Sequence, residues 1–555
     1  MRIVSFFVLL VGSLVACRES SVGPPPPPPP PLPPAPELGC ASTADVQLTV
    51  GQSTALSIGD GAQCLRLPGT DAQPAEYLVV ALSGAATQTV AGVTADFRLM
   101  SRSAGSPTAA AAAMAATAGR PLDPVAEFHA RLRSREARVA SRFRALPPRA
   151  AIATAPPTVG DLRTFTVCAG LPCDSFVGAL GRAGYVGRSV AIFVDDAAPS
   201  DGFTDLEIGR LGQLFDQWLY PGDTTAFGRP SDVDGNGLVF AFLSKAVNRL
   251  TWPCLGGIIT GYFVGSDLLT SEAGSNGAEV VYLAVPDPNG EAGCRVTKDF
   301  ATRLVAPTMT HELQHLISFN QHVVTRSGDV EQTWLNEGLS HLAEELAGRV
   351  VPNEWCYLND CVSQFSVPTL TNAYHYLIAP EANFLVYPRA STGSLAERGA
   401  AWLFLRWIMD HFGGGEPLTR RLVQTSLTGA ANLSAAVGQS FASMVGEWHL
   451  ANWLDHLPGF TPVSDRLRYT TWNFRSTFAS FRAQLPSQYP RVFPLVPDSA
   501  GAAYDALGVL RGGSAHYTRV VLEPHGPPRD LRLSGPAGAL LAQEIGAMVA
   551  VARVR

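Results

Sequence analysis

Apolar positions along this 555-residue chain follow two spacings, and the change from one to the other divides it into regions. From residue 40 to about 103 they alternate in short runs, such as Val46-Gln47-Leu48-Thr49-Val50, with Gly and Asp between the runs. A period of two predicts strands, so a small β domain is expected over 40–105. Residues 106–157 read as an Ala-rich linker followed by a helix over 121–146, with the basic residues Arg131 to Arg144 on a solvated face.

Longer elements follow. Residues 189–194 read as a buried strand, 205–219 as a helix, 278–285 as a strand closed by Pro286, and 397–412 as a helix. Two further helices each have a core-facing side. The first should open near Pro307, which a first turn tolerates, and bury Leu313, Leu316 and Ile317 before ending ahead of Ser327-Gly328. The second sets Leu335, Leu339, Leu342, Ala343 and Leu346 on one side and Glu337, Ser340, His341 and Glu344 on the other, with Gly348 as a stop. Glu344 and Glu345 read as solvated or as supports rather than metal ligands. From about residue 462 the β pattern returns, as in 517–522. The expectation is a multidomain chain: an α+β domain over 158–461, flanked by an N-terminal β domain and a C-terminal β domain over 462–555.

The N-terminus adds an address. Met1-Arg2 is basic, residues 3–15 are apolar, and Leu14-Val15-Ala16-Cys17 resembles a bacterial lipobox. Residues 1–16 are thus expected as a signal peptide and Cys17 as a lipidated, membrane-attached residue, with a plain secretory signal to the periplasm or medium as the alternative. Arg18 suits an outer-membrane or cell-surface destination. Residues 17–39, proline-rich from Pro24 to Pro36, form a stiff spacer. Nine cysteines less Cys17 leave an even number for an exported chain, and nearest neighbours pair as Cys40–Cys64, Cys168–Cys173, Cys254–Cys294 and Cys356–Cys361. A net charge of −6 without a dominant basic patch argues against nucleic-acid binding.

The candidate chemistry sits on the two central helices. His311-Glu312-Leu313-Gln314-His315 puts two imidazoles four residues apart on one helix face with a carboxylate beside them. A catalytic zinc takes three protein ligands and keeps a fourth position open. His311 and His315 supply two, Glu337 is the choice for the third, and Glu312 for the base that deprotonates the zinc-bound water. The metzincin pattern fails, because Ser318 and Gln321 stand where its Gly and third His belong; His322 is one residue too late. Asp232-Val233-Asp234-Gly235-Asn236-Gly237 resembles the front of an EF-hand, but Leu243 stands at the twelfth position. A turn into a strand is the preferred reading, with calcium on Asp232, Asp234 and Asn236 as the alternative.

His-Glu-Leu-Gln-His with the downstream Trp334-Leu335-Asn336-Glu337-Gly338 helix resembles the gluzincin metallopeptidases, the group of thermolysin and the zinc aminopeptidases, and among them the hyicolysin-like secreted enzymes. The motif likeness covers about 300–350, with a weaker likeness in element order over about 160–460. It implies a gluzincin-like fold for the α+β domain, Zn2+ on His311, His315 and Glu337, Glu312 as base, and a protein or peptide substrate. It also implies a downstream Tyr or His donor to the oxyanion, here Tyr387 ahead of Tyr374 and Tyr376. Residues 278–285 precede the zinc helix as the substrate-binding edge strand does in gluzincins, a plain core strand being the other reading. Two departures stand out. His341 occupies the position of an Asp that orients a zinc histidine in thermolysin-like enzymes, and the G-x-M-E-N signature of the aminopeptidases is missing, which favours internal cleavage. The expected function is a surface-anchored zinc endopeptidase; the alternative is a binding or adhesion lipoprotein that keeps the protease fold without activity.

Overall fold

The computed structural model describes residues 38–555 except 60, 104–111, 114–123, 144–153, 172, 252–253, 255–256, 414–416 and 502. The expected signal segment, Cys17 and the proline tract lie outside the described residues. Strands β1 (Thr43–Asp45), β2 (Ser53–Ser57), β3 (Cys64–Leu67), β4 (Ala75–Ser83), β5 (Thr94–Ser103) and β6 (Ala112–Ala113) precede helix α1 (Pro124–Phe143). A central sheet is built from β7 (Leu162–Cys168), β8 (Phe176–Val186), β9 (Val190–Asp195), β10 (Val239–Leu243), β11 (Gly261–Phe263) and β12 (Val280–Leu283). Helices α2 (Asp205–Leu214), α3 (Tyr220–Ala226) and α4 (Lys245–Arg249) lie in its connections. A helical layer follows: α5 (Lys298–Phe319), α6 (Thr333–Val350), α7 (Cys361–Ile378), α8 (Leu395–Phe412), α9 (Leu418–Val423), α10 (Gly429–Val437), α11 (Phe441–Leu454) and α12 (Phe474–Gln484). Then come β13 (Asp498–Ala500), β14 (Ala503–Arg511), β15 (Ala515–Leu522), β16 (Arg529–Ser534) and β17 (Ala547–Arg553).

The two β domains expected at the ends are one body. One sheet runs β1-β3-β16-β5-β14-β6 and the other β13-β15-β4-β17-β2, so each interleaves strands from both ends of the chain. The physical reason is burial. Tyr77, Val79 and Ala81 of β4 and Phe97 and Leu99 of β5 share one core with Val520, Leu522, Leu531, Leu533, Val549 and Val551. Alternation tells which side of a strand faces a core, not which strand covers it. A buried ion pair, Arg98 Nη2 to Asp505 Oδ2 at 2.7 Å, joins β5 to β14.

The central sheet has the order β11-β12-β10-β9-β8-β7. β9, β10 and β12 run parallel and β11 pairs antiparallel to β12. Every residue of β10 is buried, because Val239, Ala241 and Leu243 face one core while Phe240 and Phe242 face the other. Strands covered on both faces are continuously apolar, which is how β10 and β12 read in the sequence. The expectation that residues 278–285 form the substrate edge is therefore corrected: β12 lies between β10 and β11, and β11 is the edge.

Helix α5 starts well before Pro307. Thr297 caps it by accepting from Phe300 N at 3.2 Å. Pro307 has no N–H to offer the Arg303 carbonyl one turn back, and Gln364 Nε2 takes that oxygen at 3.0 Å instead. Helix α6 is buried on nearly every side between α5, α7 and α8. Glu345 is not solvated as one alternative had it: its oxygens accept from Trp402 Nε1 at 3.1 Å and Trp472 Nε1 at 2.8 Å. All four disulfides pair as nearest neighbours, which suits an oxidising compartment. Among the described residues no helix is long and apolar enough to cross a membrane.

Candidate metal centre

Helical spacing stacks His311 and His315 on successive turns of α5, with ring centroids 4.8 Å apart. Glu337, in the second turn of α6, faces both. His311 Nε2 lies 3.6 Å from Glu337 Oε2, and His315 Nε2 lies 3.7 Å from Glu337 Oε1. The three groups can hold a metal ion. Each is held from behind. His311 Nδ1 donates to Glu344 Oε1 at 2.7 Å, which turns the other ring nitrogen, Nε2, toward Glu337. Ser340 Oγ donates to Gln314 Oε1 at 2.5 Å and lies 3.2 Å from Nδ1 and 3.4 Å from Nε2 of His315. Glu337 has Arg398 Nη1 at 3.3 Å, yet neither of its oxygens accepts a well-directed hydrogen bond among the described residues.

A second grouping, His311, His341 and Glu344, also has metal-ligating chemistry. Its spacing is that of hydrogen bonds, 2.7 Å and 2.9 Å to the same Glu344 oxygen. It reads as a chain of donors on one carboxylate that fixes the His311 ring. Glu344 thus bonds the His311 ring from the same turn of α6 in which His341 stands where an acid was expected.

The electrostatics match a site made for a cation. Burial by itself would lower the His311 pKa, but Glu337 and Glu344 outweigh it and raise it to about 10. Burial would push Glu337 up; Arg398 and His311 hold it well below the usual carboxylate range. His315 goes the other way, kept neutral by burial and by Arg133. Glu312 is buried with Oε2 unpartnered, and desolvation raises its pKa against the pull of His311 and Arg133.

The other sequence candidates separate. Tyr387 is fully buried, its hydroxyl lacks a hydrogen-bond partner among the described residues, and Glu397, Arg398 and Glu337 act on it. Tyr374 is occupied, donating to the Arg491 carbonyl at 3.0 Å, and Tyr376 stacks on Trp448. His322 lies apart, 3.7 Å from Glu331. Asp232 and Asp234 are joined by Glu279 in a third group of possible ligands, in the place expected for Asn236. The Asn236 side chain is already spent, donating to Asp234 Oδ2 at 2.7 Å and accepting from Leu238 N at 2.7 Å.

Three residues near the centre were missed. Arg398 comes from α8, which reads only as an apolar helix. His129 and Arg133 come from α1, whose basic residues were expected on a solvated face; Arg131 and Arg142 are exposed, but Arg133 is buried. Burial, then Arg398, pushes His129 down to about 3, with Glu337 and His311 also in electrostatic reach. No local pattern in α1 signals that it lies against this centre.

No protein-family profile matches the chain. It is similar to the neutral metalloprotease ShpI of Staphylococcus hyicus, 26% identical over 189 residues, which span 34% of this chain and 40% of that relative. The likeness supports a metalloprotease family, in keeping with the cluster on α5 and α6.

Proposed function

We propose that the chain is a zinc-dependent endopeptidase of the gluzincin, hyicolysin-like kind, exported and held at the cell surface through Cys17. The observation that carries this reading is the trio of His311, His315 and Glu337, with both Nε2 atoms turned toward one carboxylate. Zinc bonds of about 2.0–2.2 Å in a tetrahedron place ligand atoms about 3.3–3.6 Å apart. The observed 3.6 Å and 3.7 Å, each to a different Glu337 oxygen, lie at and just beyond the upper end of that range, so a small inward shift would bring the ligands to an ion. The missing aminopeptidase signature supports internal cleavage.

A zinc ion held there would supply Lewis acidity and acidify a water. Glu312, with one free oxygen and a raised pKa, is placed to take a proton from the attacking water and pass it to the leaving amine. The Tyr387 hydroxyl supplies a donor for the carbonyl oxygen as it gains charge. The edge strand β11 offers backbone groups to an extended peptide. An inert binding protein would have no use for Glu312, which tells against the alternative.

The test is direct. Purified protein is expected to contain about one zinc per chain, to degrade casein, and to stop when a chelator is added. Glu312→Gln should keep its zinc and lose about 10²–10⁴-fold in rate. Undiminished cleavage by that variant would remove Glu312 from the mechanism.

A further inference from the structure

An edge strand carries unpaired backbone groups, and side chains of one helix take one on β11 and one two residues further on, just past its end. Arg133 Nη2 of α1 donates to the Phe263 carbonyl at 3.2 Å. Glu136 Oε1 of α1 accepts from Gly265 N at 3.1 Å. The two side chains pair with each other at 2.8 Å and are 8% and 3% exposed. One donor and one acceptor, two residues apart along the backbone that runs out of β11, are what an added peptide strand would present there.

The rest of α1 fixes it along this line. Phe128 and Leu132 pack into the core on one face of the sheet, while Val139 and Ala140 join the core on the other, so the helix passes across the free edge. The Phe128 ring meets Tyr262 of β11 edge-on at 5.3 Å. Arg135 Nη1 donates to the Cys173 carbonyl at 2.9 Å. Toward the metal centre, Arg133 acts electrostatically on Glu312 and His315, and His129 is acted on by Glu337 and His311.

We propose that α1 is a built-in inhibitory segment occupying the peptide-binding strip, with Arg133 and Glu136 standing in for the backbone of a substrate on β11. This rests on the peptidase reading for its biological sense, but the occupancy can be tested without cleavage. The plainer role, a helix that merely covers a sheet edge, makes a different prediction. A cover, once weakened, loosens the fold without opening a binding site.

The experiment uses the full chain, zinc-loaded and carrying Glu312→Gln, and measures binding of a fluorescein-labelled casein-derived peptide. Adding Arg133→Ala and Glu136→Ala is expected to tighten binding at least tenfold. The exchanged pair, Arg133→Glu with Glu136→Arg, keeps the ion pair and turns the wrong group toward the Phe263 carbonyl and the Gly265 N–H. It should open the strip likewise, and it decides the matter if the alanine form does not fold. Affinity within twofold of the parent in a folded variant overturns the proposal. With Glu312 restored, the opened variant should cut casein at least tenfold faster. Tighter peptide binding with no cleavage would leave the plug standing and sink the peptidase reading instead.

Discussion

Glu337 and Glu344 on α6 and the pair Glu279 and Asp267 around β12 are equally removed from water, yet they carry charge differently. Burial pushes both Glu279 and Asp267 up to about 7, because the groups that hydrogen-bond to them are neutral: Val233 N for the first, Tyr282 Oη and Asn276 for the second. On α6 the same burial is overcome. Arg398 and the histidines hold Glu337 down, and His341 and His311 hold Glu344 down. Depth alone makes a carboxylate an acid; a carboxylate set among cationic partners stays an anion. The first arrangement stores a proton, the second a charge.

The largest break in this contrast is Glu337→Gln. It leaves Arg398 buried opposite a neutral amide, and removing one partner of a buried pair costs about 3–5 kcal/mol. Denaturant unfolding of the metal-stripped protein should show that loss, and zinc binding should fall with it. If the stripped variant is as stable as its parent, Arg398 does not depend on Glu337.

Asp267 tests the other side. Its pKa is about 7 folded and 3.8 ordinarily. Stability from this group is therefore complete below the ordinary value and is lost as pH rises through 7. Over that window the loss runs up to about 1.4 kcal/mol per pH unit. Asp267→Asn keeps an acceptor for Tyr282 and should flatten this part of the pH profile; an unchanged slope would show that Asp267 is ionised throughout. Glu279 and Glu331 share the same direction, so some slope remains.

Glu344→Gln is subtler. The amide oxygen can still accept from His311 Nδ1, but the negative charge that strengthens the imidazole as a ligand is gone. Such supporting partners are worth about 10–100-fold in metal affinity. Competition with a chromophoric chelator should show that drop while the fold is retained. Equal affinity would mean the ring is held by packing alone.

What was legible in the sequence follows the same division between local and distant. His311, Glu312 and His315 lie within two turns of one helix, so spacing alone placed them together. Glu337 came from a second amphipathic helix, whose charged face had one position for it. Pro307 misled, because the oxygen it strands is satisfied by Gln364 from α7, far along the chain. The terminal strands alternate clearly, yet β5 pairs with β14 and β16 across some four hundred residues, and no local pattern encodes that choice. Arg133 looked like one more surface cation in a basic helix. Glu136, one turn along, pairs with it, but the carbonyl it also reaches belongs to β11, itself three residues long.

Calcium is the smallest and finest test of the contrast. Asp232, Asp234 and Glu279 bring one oxygen each within 4.8 Å of one another, and Glu279 Oε2 is buried without a partner. Unlike Glu337, these groups have already found backbone donors: Gly237 N for Asp232, Asn236 N for Asp234 and Val233 N for Glu279. A loop that satisfies itself gains less from an ion than a cluster that does not. On the calcium reading, a concentration ten times the dissociation constant adds about 1.4 kcal/mol, which for a chain of this length moves the thermal midpoint by about 1–3 °C. Glu279→Gln should erase the shift, since it removes the one unspent buried oxygen. Asn236→Ala should preserve it, because that amide serves the turn and not the ion. A shift that survives Glu279→Gln but vanishes with Asn236→Ala would restore the EF-hand-like ligand set and remove Glu279 from it.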